Sequence, residues 1–270
     1  MRIRTIRRAI TRPRRALDLD PRHPAAIHVL VHVMEMQGRA REGLALLAAT
    51  ESAWITGTAF SVHLAWHRAL FHLEAEDAPS ALATYDAHIA PATHISALAD
   101  GSALLWRLQL RTIGVGERWR VLADRWETQT LAGARPFYVV HAMVAFAATG
   151  RSAAVARVFD ALPHTDTHGT APLPEEALAL PFCEALLAFA STDYAASVEW
   201  LSRVRNIADR CGGSLAQCDL IHLTFTEAAL RAQKVRLARA LVAERAAHKP
   251  SSRLNRLLAQ RVQMIVQAVA

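Results

Sequence analysis

The sequence predicts an all-α protein, a solenoid of about six degenerate helix pairs closed by a C-terminal capping helix. Three observations carry that expectation. Alanine is abundant, aromatic residues make up only 6% of the 270 residues, and strand-like alternation of β-branched residues is hard to find, a balance that favours helices. Turn signals interrupt the helical periodicity near Gly38, Asp77, Gly116, Gly150, Thr192 and Gln233, at intervals of 39, 39, 34, 42 and 41 residues. Each interval holds two helices.

The elements follow in order. Residues 1–15, "MRIRTIRRAITRPRR", form a basic N-terminal segment, and residues 16–270 form the helical-repeat domain. First helices of the pairs are expected at 24–37, 58–75, 137–149 and 175–190. The second helices follow the turns, as in "RAREGLALLAATE", "APSALATYDAHIAP" and "RSAAVARVFDALP". Small alanines there allow close approach, and Leu44, Leu47, Leu82, Tyr85, Val155 and Phe159 fill the seams. The stretch "PHTDTHGTAPLP" interrupts the array with prolines and a glycine, so 163–174 is a loop, a hinge or lid, with His164 and His168 solvated in it. Leu254, Leu257, Leu258, Val262, Ile265, Val266 and Val269 recur at helical spacing and mark the capping helix. The intervals between turns lie near those of tetratricopeptide and HEAT repeats.

The net charge of +7 comes from arginine, since lysine occurs only at Lys234 and Lys249. Seven arginines fall in the first fifteen residues, so the remainder is close to neutral. A basic, acid-free start suits phosphate, an anionic membrane surface or a transit-like sequence, or simply a solvated first helix. No specific nucleic-acid partner is implied. Cys183, Cys211 and Cys218 lack Cys-x-x-Cys spacing, and an odd count suits a reducing compartment better than a disulfide framework. There is no apolar leader and no run of eighteen apolar residues, so a cytoplasmic protein without a transmembrane segment is expected.

The residues with chemical promise are histidines. In "HVLVHVMEMQGR" His28 and His32 are four apart with Glu35 on the same side of the helix. In "SVHLAWHRALFHLEAED" His63 and His67 repeat the spacing, and Glu74 returns to that face seven residues later. A histidine pair one turn apart can chelate a transition metal, with a glutamate adding an oxygen, so His28, His32 and Glu35 are candidate metal ligands. The pattern is not His-Glu-x-x-His, which would supply a general base between the ligands. The plainer alternative is partly buried, hydrogen-bonded histidines, with Glu35 and Glu74 orienting them or paired with Arg39 and Arg68.

Further candidates lie along the chain. Trp66 accompanies the second histidine pair. "DGSALLWRLQL" places Asp100, Trp106 and Arg107 at a helix start, near Arg118, Arg120 and Arg125, as an anion clamp or as a capping Asp100 with surface arginines. His141 stands alone on an apolar helix, by default a core histidine. Gly212 and Gly213 suit a tight turn, with Ser214 as N-cap of the following helix. No phosphate-loop pattern, no Gly-x-Ser-x-Gly and no cysteine nucleophile beside a base is present.

Taken in order, "HVLVHVMEMQGRAREG", "HLAWHRALFHLE", "LATYDAHI", "DGSALLWRL", "ERWRVLADRW", "HAMVAFAATGR", "GGSLAQCD" and "LARALVAERAAHKPSSR" resemble the tetratricopeptide repeat protein 38 family, from about Ala16 to about Arg256. The resemblance implies a tetratricopeptide-like solenoid and brings no established activity. The family's Phe-Asn-Asp-x-His-Ala reads Phe137, Tyr138, Val139, Val140, His141 and Ala142 here, and in its Gly-Gly-Ser-His-Ala-Gln-Arg-Asp stretch Leu215 replaces the histidine and Cys218 the arginine. Relatives tend to be longer at the N-terminus, so the shortened end offers a route to a homo-oligomer.

Two functions are expected from these residues. In the first, a concave groove holds a peptide, protein or small polar ligand on His28, His32, Glu35, His63, Trp66, His67, Trp106, Arg107 and His141. In the second, the same first helices carry a metal-dependent or His/Glu acid-base enzyme acting on a small polar substrate. Convergence of the two histidine pairs within metal-ligand reach favours the second; separation by a helix-packing distance of about 10 Å favours the first.

Overall fold

Six helices end in the same way. Gly38, Glu76, Thr112, Gly150, Thr192 and Gln233 all lie in the left-handed region, with φ from 54° to 69°. In each case the next amide reaches back to close a Schellman motif: Arg39 to the carbonyl of Met34, Asp77 to His72, Ile113 to Leu108, Arg151 to Phe146, Asp193 to Ala188 and Lys234 to Ala229. A second helix then begins. Asp77 and Asp193 cap theirs by accepting from Ser80 N at 3.1 Å and Ala196 N at 3.0 Å. The closures recur about every 40 residues, the scale of a helix-pair repeat.

The computed structural model describes residues 2–162, 174–210 and 212–269, and all regular structure among them is helical. They fall into two compact units. The division comes at 92/93, 244/245 and 257/258. The expected hinge or lid at 163–174 falls almost wholly outside the described residues.

Unit 1 comprises Met1–Ala92 and Arg245–Leu257. It contains α1 (Arg2–Leu19), α2 (Pro24–Met36), α3 (Ala40–Ala49), α4 (Glu51–Trp54), α5 (Ser61–Glu74) and α6 (Ala78–Thr84), the last running into a π-helical turn at Tyr85–Ile89. α2 packs on α1, α3 and α5, and α5 packs on α3 and α6. Leu64, Ala65, Trp66, Ala69 and Phe71 are buried, so α5 is the central helix of the unit. α3 comes close because Gly43 faces the Phe71 ring, which leaves no space for a Cβ.

Unit 2 comprises Thr93–Glu244 and Leu258–Ala270. Its helices are α7 (Ile95–Leu110), α8 (Arg118–Glu127), α9 (Pro136–Thr149), α10 (Ser152–Ala161), α11 (Pro174–Ala190), α12 (Tyr194–Val204), α13 (Leu215–Arg231), and most of α14 (Val235–His248) and α15 (Arg253–Val269). α9 touches α7, α8, α10 and α11, while α13 packs on both α12 and α7. The α7–α13 contact joins pairs that are not neighbours, whereas an open solenoid confines contact to adjacent repeats. Trp106 Nε1 donates to Thr224 Oγ1 at 2.9 Å across this seam. The expected groove side chains of α7 are therefore packed inward. Cys183 is a buried free thiol, while Cys218 is disulfide-bonded, unlike the free-thiol pattern expected from the cysteine count. No helix among the described residues is long and apolar enough to cross a membrane.

Candidate metal centre

α2 opens on Pro24 at its first turn, where a missing N–H costs nothing, and His23 caps it by accepting from Ala26 N at 3.3 Å. From that start the helical period sends Ile27, Leu30 and Val31 into the core and sets His28 and His32 one turn apart at its margin. α5 starts after a turn in which Ser61 Oγ donates to Thr58 O at 2.9 Å. It places His63 and His67 with the same spacing. Because α2 packs against α5, the two pairs meet.

One nitrogen from each of His28, His32, His63 and His67 lies within 4.8 Å of the others, the one such group of potential ligands among the described residues. His32 Nε2 is 2.8 Å from His28 Nε2 and 3.3 Å from His67 Nε2. The ring centroids of the four residues are 4.3 to 6.1 Å apart. In a tetrahedron with metal–nitrogen bonds of about 2.0–2.1 Å the nitrogens are about 3.3 Å apart, so the four nitrogens must draw together to enclose one ion.

The surroundings suit a neutral His32. Burial, then the neighbouring His28 and His63, pushes the His32 pKa down to about 3. Its lone pair is thus not lost to a proton near neutrality, and metal needs that lone pair. His67 is fully buried, while His28, His32 and His63 are partly accessible, so the centre sits just below the surface of unit 1. Phe60 lies against His28 at 4.9 Å, and the buried Trp66 stacks on His63 at 5.2 Å and 18°.

Glu35, the expected oxygen ligand, is outside the group. Its carboxylate accepts from Lys249 Nζ at 2.5 Å. Glu74 accepts from Ser252 Oγ at 3.1 Å and from the Arg253 amide at 2.5 Å. The expected pairings with Arg39 and Arg68 do not form either: Arg39 engages Glu42, and Arg68 engages Glu51. Sequence reasoning missed Lys249, because no local pattern links it to a glutamate 214 positions away.

The other candidates belong to unit 2. Trp106, Arg107 and His141 are at most 6% exposed. Arg107 donates to Ala103 O at 2.9 Å and Ala216 O at 2.5 Å. Asp100 does not cap a helix: α7 begins at Ile95 under His94, and Asp100 accepts from Gln217 Nε2 at 3.0 Å within the core. Arg118 donates to Val115 O and Arg120 to Glu117. His141 Nδ1 donates to Phe137 O at 2.7 Å, its buried Nε2 has no hydrogen-bond partner, and burial pushes its pKa down to about 4. Ser214 does cap α13, in a reciprocal capping box with Gln217.

No protein-family model and no solved structure matches the chain.

Proposed function

We propose that the chain is a helix-pair repeat protein, of the tetratricopeptide-like kind that its resemblance to the tetratricopeptide repeat protein 38 family implies, whose first unit binds one transition-metal ion through His28, His32, His63 and His67. The observation that carries the metal reading is the convergence of two i, i+4 histidine pairs from different helices to within 4.8 Å. The recurrence of one Schellman closure in six helices supports the repeat reading.

The donor set defines the class of ion. Four neutral imidazoles, with neither carboxylate nor thiolate, suit the late first-row ions zinc, copper, nickel and cobalt and give no foothold to magnesium or calcium. Four protein ligands complete a tetrahedral shell, as in zinc sites that hold structure rather than in those that keep a position for water. The function proposed is therefore metal holding within unit 1. The test is metal content by mass spectrometry on untagged protein purified without chelators, beside H28A/H32A. About one equivalent of zinc, copper, nickel or cobalt that the variant loses supports the reading; metal-free wild type after incubation with zinc overturns it.

A further inference from the structure

Both glutamates that the sequence offers as oxygen ligands are engaged by one short segment, Lys249–Arg253, which belongs to unit 1. Glu35 on α2 meets Lys249, and Glu74 at the end of α5 meets Ser252 and the Arg253 amide. Just beyond α5, Glu76 accepts from Arg253 Nε at 3.0 Å. Just beyond α2, the Gln37 carbonyl accepts from Ser251 Oγ at 2.9 Å. One stretch of chain thus grips the C-terminal ends of the two helices that carry the four histidines.

The segment is built as a rigid hook. The amide of buried Asn255 donates through Nδ2 to Arg245 O at 3.0 Å and Lys249 O at 3.2 Å. Asn255 N donates to Ser252 Oγ at 3.2 Å, and Ser252 is 1% exposed. The fit over the α2 turn is close. A Cβ on Gly38 would meet Ser251 Oγ at 2.6 Å and Lys249 Cγ at 3.1 Å, so glycine serves both the left-handed turn and the approach of the hook. Glu35 follows His32 by three residues and Glu74 follows His67 by seven, spacings that return to the histidine-bearing side of each helix. The grip therefore acts on the faces that must meet.

We propose that Lys249, Ser252 and the Arg253 backbone form a positioning clasp, which sets the separation of α2 and α5 at the value where His28, His32, His63 and His67 close on one metal ion. This rests on the metal reading above. The clasp residues touch no ion; they act through the two helices. Nitrogens now up to 4.8 Å apart must draw in to about 3.3 Å on binding, and helices free to slip would have to be ordered first.

The experiment is zinc affinity of the full chain, measured by competition with a chromophoric chelator, together with the melting temperature of the metal-free protein. Lys249→Met is compared with the charge-swapped pair E35K/K249E and with Asp193→Ala, which removes the α12 cap in unit 2. The clasp predicts a Kd raised about 10- to 100-fold in Lys249→Met, the range found when groups that orient metal ligands are removed. The swapped pair recovers most of that affinity, and Asp193→Ala lowers the melting temperature while keeping the wild-type Kd. Wild-type affinity in Lys249→Met overturns the clasp and leaves the metal centre standing. A wild-type chain that binds no zinc overturns both.

Discussion

His32 Nε2 lies 3.3 Å from His67 Nε2 although 35 residues separate them in the chain. Two imidazole nitrogens at that distance share at most one proton, and His28 and His63 crowd the same space. In the proposed metal centre a divalent ion takes one nitrogen from each of the four and ties α2 to α5. Zinc is therefore expected to raise the stability of the protein, by about 2.7 kcal/mol at a free concentration one hundred times Kd. Thermal melts with and without zinc measure it. The variant H32A/H67A is expected to melt at the same temperature in both conditions; a zinc-dependent rise in that variant would place the ion elsewhere.

Gly43 sits inside α3, where helix propensity alone makes alanine the better residue by about 1 kcal/mol. The Phe71 ring stands 2.7 Å or less from the position of the added methyl, and Phe71 is only 2% exposed. Packing outweighs propensity here. Gly43→Ala is expected to destabilise by about 1–3 kcal/mol, and Phe71→Leu in the same chain to recover part of the loss, as read by chemical denaturation. A stabilised Gly43→Ala would show that α3 and α5 are farther apart than described.

His141 couples stability to pH. Its native pKa is depressed to about 4 by burial, while in the unfolded chain it titrates near 6.5. Between those values the unfolded chain binds a proton that the native state refuses, so its contribution is fully present above about pH 6.5 and is lost as pH falls towards 4. Unfolding free energies of wild type and His141→Leu are expected to differ by an amount that changes by about 3 kcal/mol between pH 7 and pH 4. A constant difference across that window would mean that His141 is solvated.

Trp106 is fully buried, and its indole N–H donates to Thr224 Oγ1 across the α7–α13 seam. Thr224→Val keeps the shape and removes the acceptor. The orphaned donor is expected to cost about 1–3 kcal/mol, which denaturant unfolding followed by tryptophan fluorescence resolves. An unchanged midpoint would show that Trp106 has another acceptor.

The helices were legible because the turns between them leave local marks. Gly38 and Gly150 stand at the left-handed positions themselves, and Asp77 announces the next helix. Near Gly116 the left-handed closure after α7 instead uses Thr112, a residue that carries no turn signal of its own. The two histidine pairs were equally visible, since i, i+4 spacing is a property of one helix. Their meeting was not, because it depends on how α2 and α5 are rotated against each other, and the core residues on every side of α5 decide that. Glu35 shows the same limit. Its position on the helix was readable, but its partner Lys249 comes from a segment fixed only by tertiary packing. Trp106 and Arg107 looked like groove residues because first helices line the groove of an open array; the contact of α7 with α13 turns them into core.

In the proposed metal centre four imidazoles and nothing else hold one ion. X-ray absorption at the zinc edge of stoichiometrically loaded protein reads that shell. A four-imidazole centre gives a first shell of four nitrogens at about 2.0–2.1 Å with the outer-shell scattering of imidazole rings. A shell containing sulfur, a carboxylate oxygen or fewer than four imidazoles would contradict it.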